Sequence, residues 1–123
     1  MRVLLSIKPE YAFKIFNGEK KFEFRKSIFK NPHVKTVVVY ASSPIQRVIG
    51  EFEIEEILCL KPKELWEQTK EFSGISENFF FEYFAEKEIG HAIKIKTILK
   101  YHRPLTLKES FNVNPPQSFT YLT

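Results

Sequence analysis

The pattern of this chain predicts an α+β fold, a small mixed β-barrel with short helices packed around it. Three observations point there. Strand-length apolar runs are separated by short helical stretches, too few and too brief for the repeated crossovers of a parallel sheet. Two long alternating segments, Arg47–Leu60 and His91–His102, form the natural central pair. The 123 residues are 43% hydrophobic and 15% aromatic, with thirteen Phe, which suits one core and therefore a single domain over residues 1–123.

The elements follow in order. Arg2–Ile7 reads as a strand, and Pro9 opens a helix to about Asn17, because proline fits the first turn, where its missing N–H costs nothing. Ala12, Ile15 and Phe16 give that helix a buried stripe, and Asn17-Gly18 stops it. Lys20–Arg25 is the second strand and Lys26–His33 a loop. Val34–Ala41 is a strand buried on both faces, ended by Ser42-Ser43-Pro44. Arg47–Leu60 is a long strand in which Gly50 marks a bulge or a close backbone approach. Pro62 starts a helix through about Phe72 with Leu65, Trp66 and Thr69 inward. Ser76 caps another, Glu77–Lys87, whose Phe79, Phe80, Tyr83 and Phe84 read as core. The last long strand, His91–His102, presents Ile93, Ile95, Thr97, Leu99 and Tyr101 on one face and stops before Pro104. Pro115-Pro116-Gln117-Ser118-Phe119 is a stiff segment expected to cross the barrel mouth or pair at its edge.

Within this frame the stretch Gly18-Glu19-Lys20-Lys21-Phe22-Glu23-Phe24-Arg25 carries the most information. Alternation puts Lys21, Glu23 and Arg25 on one face and Phe22 and Phe24 on the other, so the phenylalanines anchor a strand whose charges face a crevice. The net charge of +4 is unevenly spread, with +7 over residues 1–50, −7 over 51–90 and +4 over 91–123. Glu51, Glu53 and Glu55 on one strand and Lys94, Lys96 and Lys100 on another are read as pairing across the sheet, which leaves the first fifty residues as the phosphate-facing part. The chain has no Asp, and His33, His91 and His102 are far apart, so no metal site and no cofactor are expected. The single Cys59 is read as a small packing residue. No apolar run is long enough to span a membrane, and Lys8-Pro9-Glu10 interrupts the first one too early for a signal peptide, so the expected location is cytoplasmic.

Taken together, Ile7-Lys8-Pro9-Glu10-Tyr11-Ala12, Gly18 to Lys26, Val39-Tyr40-Ala41-Ser42-Ser43-Pro44, Gly50-Glu51-Phe52 and Pro115 to Phe119 resemble the ASCH domain, a branch of the PUA-like superfamily. The resemblance implies a cleft lined by the Gly18–Arg25 strand and the first helix. It also implies RNA binding or the handling of modified nucleobases and nucleosides, linked to regulation of transcription or translation. Some proteins of that family hydrolyse acetylcytidine with a lysine, a threonine and a glutamate. Lys20 stands at the lysine position, but Glu23 stands where the threonine would be, so little such activity is expected.

The sequence thus leads to a binding module for RNA or a modified nucleotide rather than an enzyme. Its candidate site comprises Lys8, Lys20, Glu23, Arg25, Tyr40, Ser42, Gln117 and Ser118. Lys8, Lys20 and Arg25 would meet phosphate or carbonyl oxygens, Glu23 would accept a base N–H, and an aromatic ring, Tyr11 or Trp66, would stack. The alternatives are a small amide or nucleoside hydrolase in which Lys20 and Glu23 activate water, and a protein-interaction module using the acidic middle. The oligomeric state is left open.

Overall fold

A computed structural model describes residues 1–122. The elements are β1 (Arg2–Ile7), α1 (Pro9–Phe16), β2 (Phe22–Arg25), β3 (Thr36–Ala41), β4 (Arg47–Leu60), α2 (Pro62–Thr69), a 3-10 turn (Lys70–Phe72), α3 (Glu77–Tyr83), β5 (Gly90–Leu105), α4 (Leu107–Ser110) and β6 (Phe119–Leu122). The six strands form one sheet in the order β2-β5-β4-β3-β1-β6. Only β1 and β3 run parallel, and the other neighbours are antiparallel. The expected mixed barrel is therefore a sheet curled into a half-barrel, with β2 and β6 as its edges.

Three apolar clusters hold it. Val3, Leu5, Val37, Val39, Phe52 and Ile93 line one face of the sheet under Ala12 and Ile15 of α1. On the other face, Leu4, Val38, Tyr40 and Val48 pack against Leu107 of α4 and Leu122 of β6. Phe22, Phe24 and Ala92 meet Leu65, Trp66, Phe80 and Phe84, which dock α2 and α3 beside β2. Ser76 caps α3 as expected, its hydroxyl accepting from the Phe79 N–H. Gly50 is a point of close approach as well as of irregular pairing, since a Cβ there would fall 2.6 Å from the Leu99 carbonyl oxygen and from the Phe16 ring.

Several boundaries differ from expectation, each for a local reason. β2 begins at Phe22 because the Lys20 N–H bonds back to Lys14 O and the Lys21 N–H to Phe72 O. β3 begins at Thr36 instead of Val34, whose N–H closes a turn onto Asn31 O. The α3 helix ends at Tyr83, with Phe84 at its C-cap and Ala85 in a turn onto Glu82 O. Pro104 does not end β5, which runs to Leu105, because the β4 pairing shifts register between Lys100 and Leu105 and no ladder bond is required of Pro104. Bulges near Glu53 and Ile54 break the alternation of β5, so Leu99 is 57% exposed and not on a buried face. Cys59 is also exposed instead of packed, its sulfur 3.1 Å from His91 Nδ1 on the adjoining strand. The acidic and basic stripes meet in one close ion pair, Lys94 with Glu55 at 2.9 Å.

Candidate functional site

β2 supplies the floor of the principal pocket. Phe22 and Phe24 turn into the cluster under α2 and α3, while Glu23 sits opposite Ile93 of β5 on the other face and is only 6% exposed. Burying a carboxylate this far requires a partner, and Arg25, two residues on and on the same face, places Nη1 3.3 Å from Glu23 Oε2. The guanidinium is itself pinned: Nη1 also donates to Ser6 O at 3.4 Å, and Nη2 donates to Ser118 O at 3.0 Å and Ser118 Oγ at 3.3 Å. The guanidinium thus makes four hydrogen bonds inside the protein, two from each Nη, which makes Arg25 the holder of Glu23 more than a free phosphate clamp. Among the described residues Glu23 Oε1 has no hydrogen-bond partner, and it is not sealed from solvent, so this oxygen faces the pocket as an open acceptor.

Lys20 comes just before β2 and is 2% exposed. Its amine donates to Ser73 O at 2.7 Å and lies 4.5 Å from the Phe24 ring centre and 5.6 Å from that of Tyr11. Gly74, at φ +71°, makes this possible: a Cβ there would fall 2.6 to 2.9 Å from the Lys20 stem carbons, so only glycine lets the loop close over it. The Gly74 carbonyl is held in turn by Lys14 Nζ at 3.1 Å. Burial pulls the Lys20 amine down from 10.5 to about 8; the Glu23 carboxylate opposes this and the Lys14 cation adds to it. Burial likewise raises the Tyr11 and Tyr83 hydroxyls above their ordinary value.

The floor opens into a cavity of about 230 Å³. Beside Lys20, Glu23 and Arg25 it is lined by Tyr11 from α1, by Ile75, Phe79 and Tyr83, and by Lys8 and Gln117. The Tyr83 hydroxyl donates to Phe24 O at 3.4 Å, and Lys26 Nζ lies 4.8 Å over its ring. This volume is below the range of about 300–1,000 Å³ typical of drug-sized pockets and suits one planar heterocycle with its sugar.

Of the residues named from sequence, the structure brings Lys8, Lys20, Glu23, Arg25 and Gln117 together around this cavity. Ser118 stands behind it as the anchor of Arg25. Two do not join. Tyr40 is buried with Leu4 and Val38 on the opposite side of the sheet, because its place in β3 pairs it into that cluster. Ser42 closes a turn, its N–H on Ile7 O and its carbonyl accepting from Ile45, and it does not line the cavity. Trp66 is core, 4.9 Å from Phe80 ring to ring, while Tyr11 lines the pocket. Of the four aromatics of α3 expected to be mostly core, Phe80 and Phe84 are buried, while Phe79 and Tyr83 are half-buried and line the pocket.

Residues 5–100 match the ASCH domain. The chain belongs to the ASCH domain family. An ASCH domain-containing ribonuclease of Zymomonas mobilis is 32% identical over 97% of this chain, which spans 82% of that protein. The crystal structure of ASCH from Zymomonas mobilis superposes with a TM-score of 0.91 at 31% identity, covering 99% of this chain and 87% of that one. Two Ureaplasma parvum proteins are similar along one segment only. One is named ATP synthase subunit alpha, 35% identical over 98% of this chain, which spans 15% of its length. The other is named large ribosomal subunit protein uL22, 31% identical over 98% of this chain, which spans 39% of its length. In this ASCH domain, among the described residues, no helix is long and apolar enough to cross a membrane.

Proposed function

We propose that this ASCH domain binds single-stranded RNA by taking one nucleotide into the Lys20–Glu23 pocket. The observation that carries the reading is a nucleoside-sized cavity with aromatic walls, lined by a buried amine and a carboxylate with one open oxygen. A base stacks on Tyr11, Phe79 or Tyr83, an interaction worth about 1–3 kcal/mol per base. Its polar edge finds a donor in Lys20 and an acceptor in Glu23, and duplexed bases are excluded because neither their faces nor their edges are free. Lys8, which also lines the cavity, meets backbone phosphate, a role the pinned Arg25 does not share. A free modified nucleoside is the alternative occupant of the same cavity, with a regulatory role in the cytoplasm in place of turnover. Fluorescence anisotropy with short unpaired RNA tests the proposal. Affinity is expected to fall with salt, Lys8→Ala to reduce the slope by about one phosphate, and Tyr83→Ala to weaken binding without changing the slope. Salt-independent or absent binding across varied sequences refutes it.

A second reading, strand cleavage at the bound nucleotide, is favoured by the low affinity of Lys20 for its proton in a cavity that Glu23 also lines, and by the relative named a ribonuclease. Glu23 Oε1 takes the proton of the 2′-hydroxyl, that oxygen attacks phosphorus, the bond to the 5′-oxygen breaks, and the Lys20 ammonium protonates the leaving oxygen. The products are a 2′,3′-cyclic phosphate and a 5′-hydroxyl. The rate should decline above about pH 8 as Lys20 loses its proton. RNA lacking the 2′-hydroxyl at the cleaved nucleotide should bind and stay intact; its cleavage at an equal rate overturns the mechanism.

A further inference from the structure

The Lys20 side chain is built more elaborately than electrostatic contact with a nucleotide requires. Its stem is clamped against Gly74, at distances no larger residue tolerates, and a single donor position is fixed by Ser73 O at 2.7 Å. The Phe24 and Tyr11 rings shield it from water on two sides, and it is 98% buried yet borders the cavity. An amine that is desolvated, oriented and lines the same cavity as a carboxylate able to relay protons through a bound substrate has the attributes of a nucleophile toward carbonyl carbon. The pocket also selects the electrophile. A nucleotide that has lost its base leaves the cavity unfilled, and its sugar, in the ring-opened form, carries an aldehyde that can advance into the space the base would occupy.

We propose that Lys20 forms an imine with such an aldehyde, so that the domain captures base-lost nucleotides through a covalent bond. The choice of aldehyde rests on the nucleic-acid reading above; the nucleophilicity of Lys20 does not. The neutral amine attacks the carbonyl carbon, forming the C–N bond as the C=O π pair moves to oxygen. Glu23 Oε1 relays the two nitrogen protons in turn to the former carbonyl oxygen: the first gives the neutral carbinolamine, and the second lets that oxygen leave as water as the nitrogen lone pair closes the C=N bond. The product is an imine, with one water released and no oxidant or reductant consumed, and hydrolysis reverses it. At pH 7.5 the neutral fraction of Lys20 exceeds that of a lysine near its usual value of ~10.4 by about 200-fold, so the pocket amine outcompetes the surface ones.

The experiment traps the imine with cyanoborohydride and maps it by peptide mass spectrometry on the intact chain. One arm uses benzaldehyde alone, the other an oligoribonucleotide with a single base-lost ribose. Expected in both is one adduct, on Lys20, forming at least 10-fold faster than on any other lysine, lost in Lys20→Arg and slowed in Glu23→Gln; the wild-type map gives the answer even if a variant fails to fold. Benzaldehyde modifying exposed lysines as fast as Lys20 overturns the proposal. So does intact RNA binding with neither aldehyde trapped, which leaves the RNA reading standing. Trapping of benzaldehyde on Lys20 with no capture of the oligonucleotide overturns the capture of base-lost nucleotides while leaving Lys20 a nucleophile, and anisotropy with intact RNA then decides the nucleic-acid reading separately.

Discussion

Wild-type protein should gain stability, relative to a Lys20→Met variant, as the pH rises from 7 to 10. Lys20 binds its proton less tightly folded, at about 8, than unfolded, at 10.5, because burial takes the ammonium out of water and one carbonyl and two rings do not fully replace that water. The unfolded chain therefore holds more protons between those values, and stability climbs with pH across that window. With 1.36 kcal/mol for each unit of pKa difference, the climb from pH 7 to 10 is about 2–3 kcal/mol. Methionine has a similar length and no charge, so it contributes no such slope. It leaves Ser73 O without its donor, a cost of about 1–3 kcal/mol that does not vary with pH. The Tyr11, Tyr83 and Tyr101 hydroxyls, all raised by burial, pull the other way near and above pH 10, but they do so in both proteins and drop out of the difference. Urea unfolding followed by circular dichroism at pH 7, 8, 9 and 10 reads the difference directly. A difference that is flat or falls with pH would refute the account of Lys20 as a cation held at a desolvation cost.

Gly74→Ala is expected to destabilise by about 2–4 kcal/mol, from backbone strain at positive φ plus the clash with the Lys20 stem, and to shift the Lys20 side-chain resonances. Thermal melting and NMR check both, and an unmoved Lys20 resonance would mean that the loop yields instead. Arg25→Gln should cost about 1–3 kcal/mol and should raise hydrogen exchange in β6 before it does so in β4, since the side chain bridges to Ser118. Phe80→Ala should cost about 3–5 kcal/mol and red-shift the fluorescence of Trp66, whose ring lies 4.9 Å away. An unchanged emission maximum would place the packing of α3 elsewhere.

Much of the fold can be read from periodicity, because burial on one face of a strand or helix writes itself into the order of residues. The β4 strand was delimited to the residue, and Leu65, Trp66 and Thr69 of α2 are buried as their spacing implies. Reading failed where tertiary partners override spacing. Leu99 alternates correctly on paper, but bulges that depend on β4 turn it outward. Cys59 sits in an apolar run near the sheet's end, where nothing covers it. Lys20, Glu23, Arg25 and Lys8, which line one cavity, stand out in the sequence as a charged strand beside a short helix. The roles of Ser73 and Gly74 were not, because these residues approach Lys20 across 53 and 54 positions and carry no pattern of their own. Tyr40 was misplaced for a related reason: a tyrosine at a strand end shows its polar tip in the sequence, while its ring belongs to whichever layer the sheet presents.

The clasp between Arg25 and Ser118 spans 93 positions and joins the neighbourhoods of the sheet's two edge strands. During synthesis, β2 and its guanidinium leave the ribosome long before the carbonyl that anchors them exists. Glu23 is then held by a side chain still free to swing, and the cavity lacks Gln117 from its lining. A nascent chain released short of residue 118 would carry every charged group of the pocket floor and still not fix their geometry. The geometry of this site is thus completed late, when the segment after α4 closes onto β1 and brings Ser118 to Arg25.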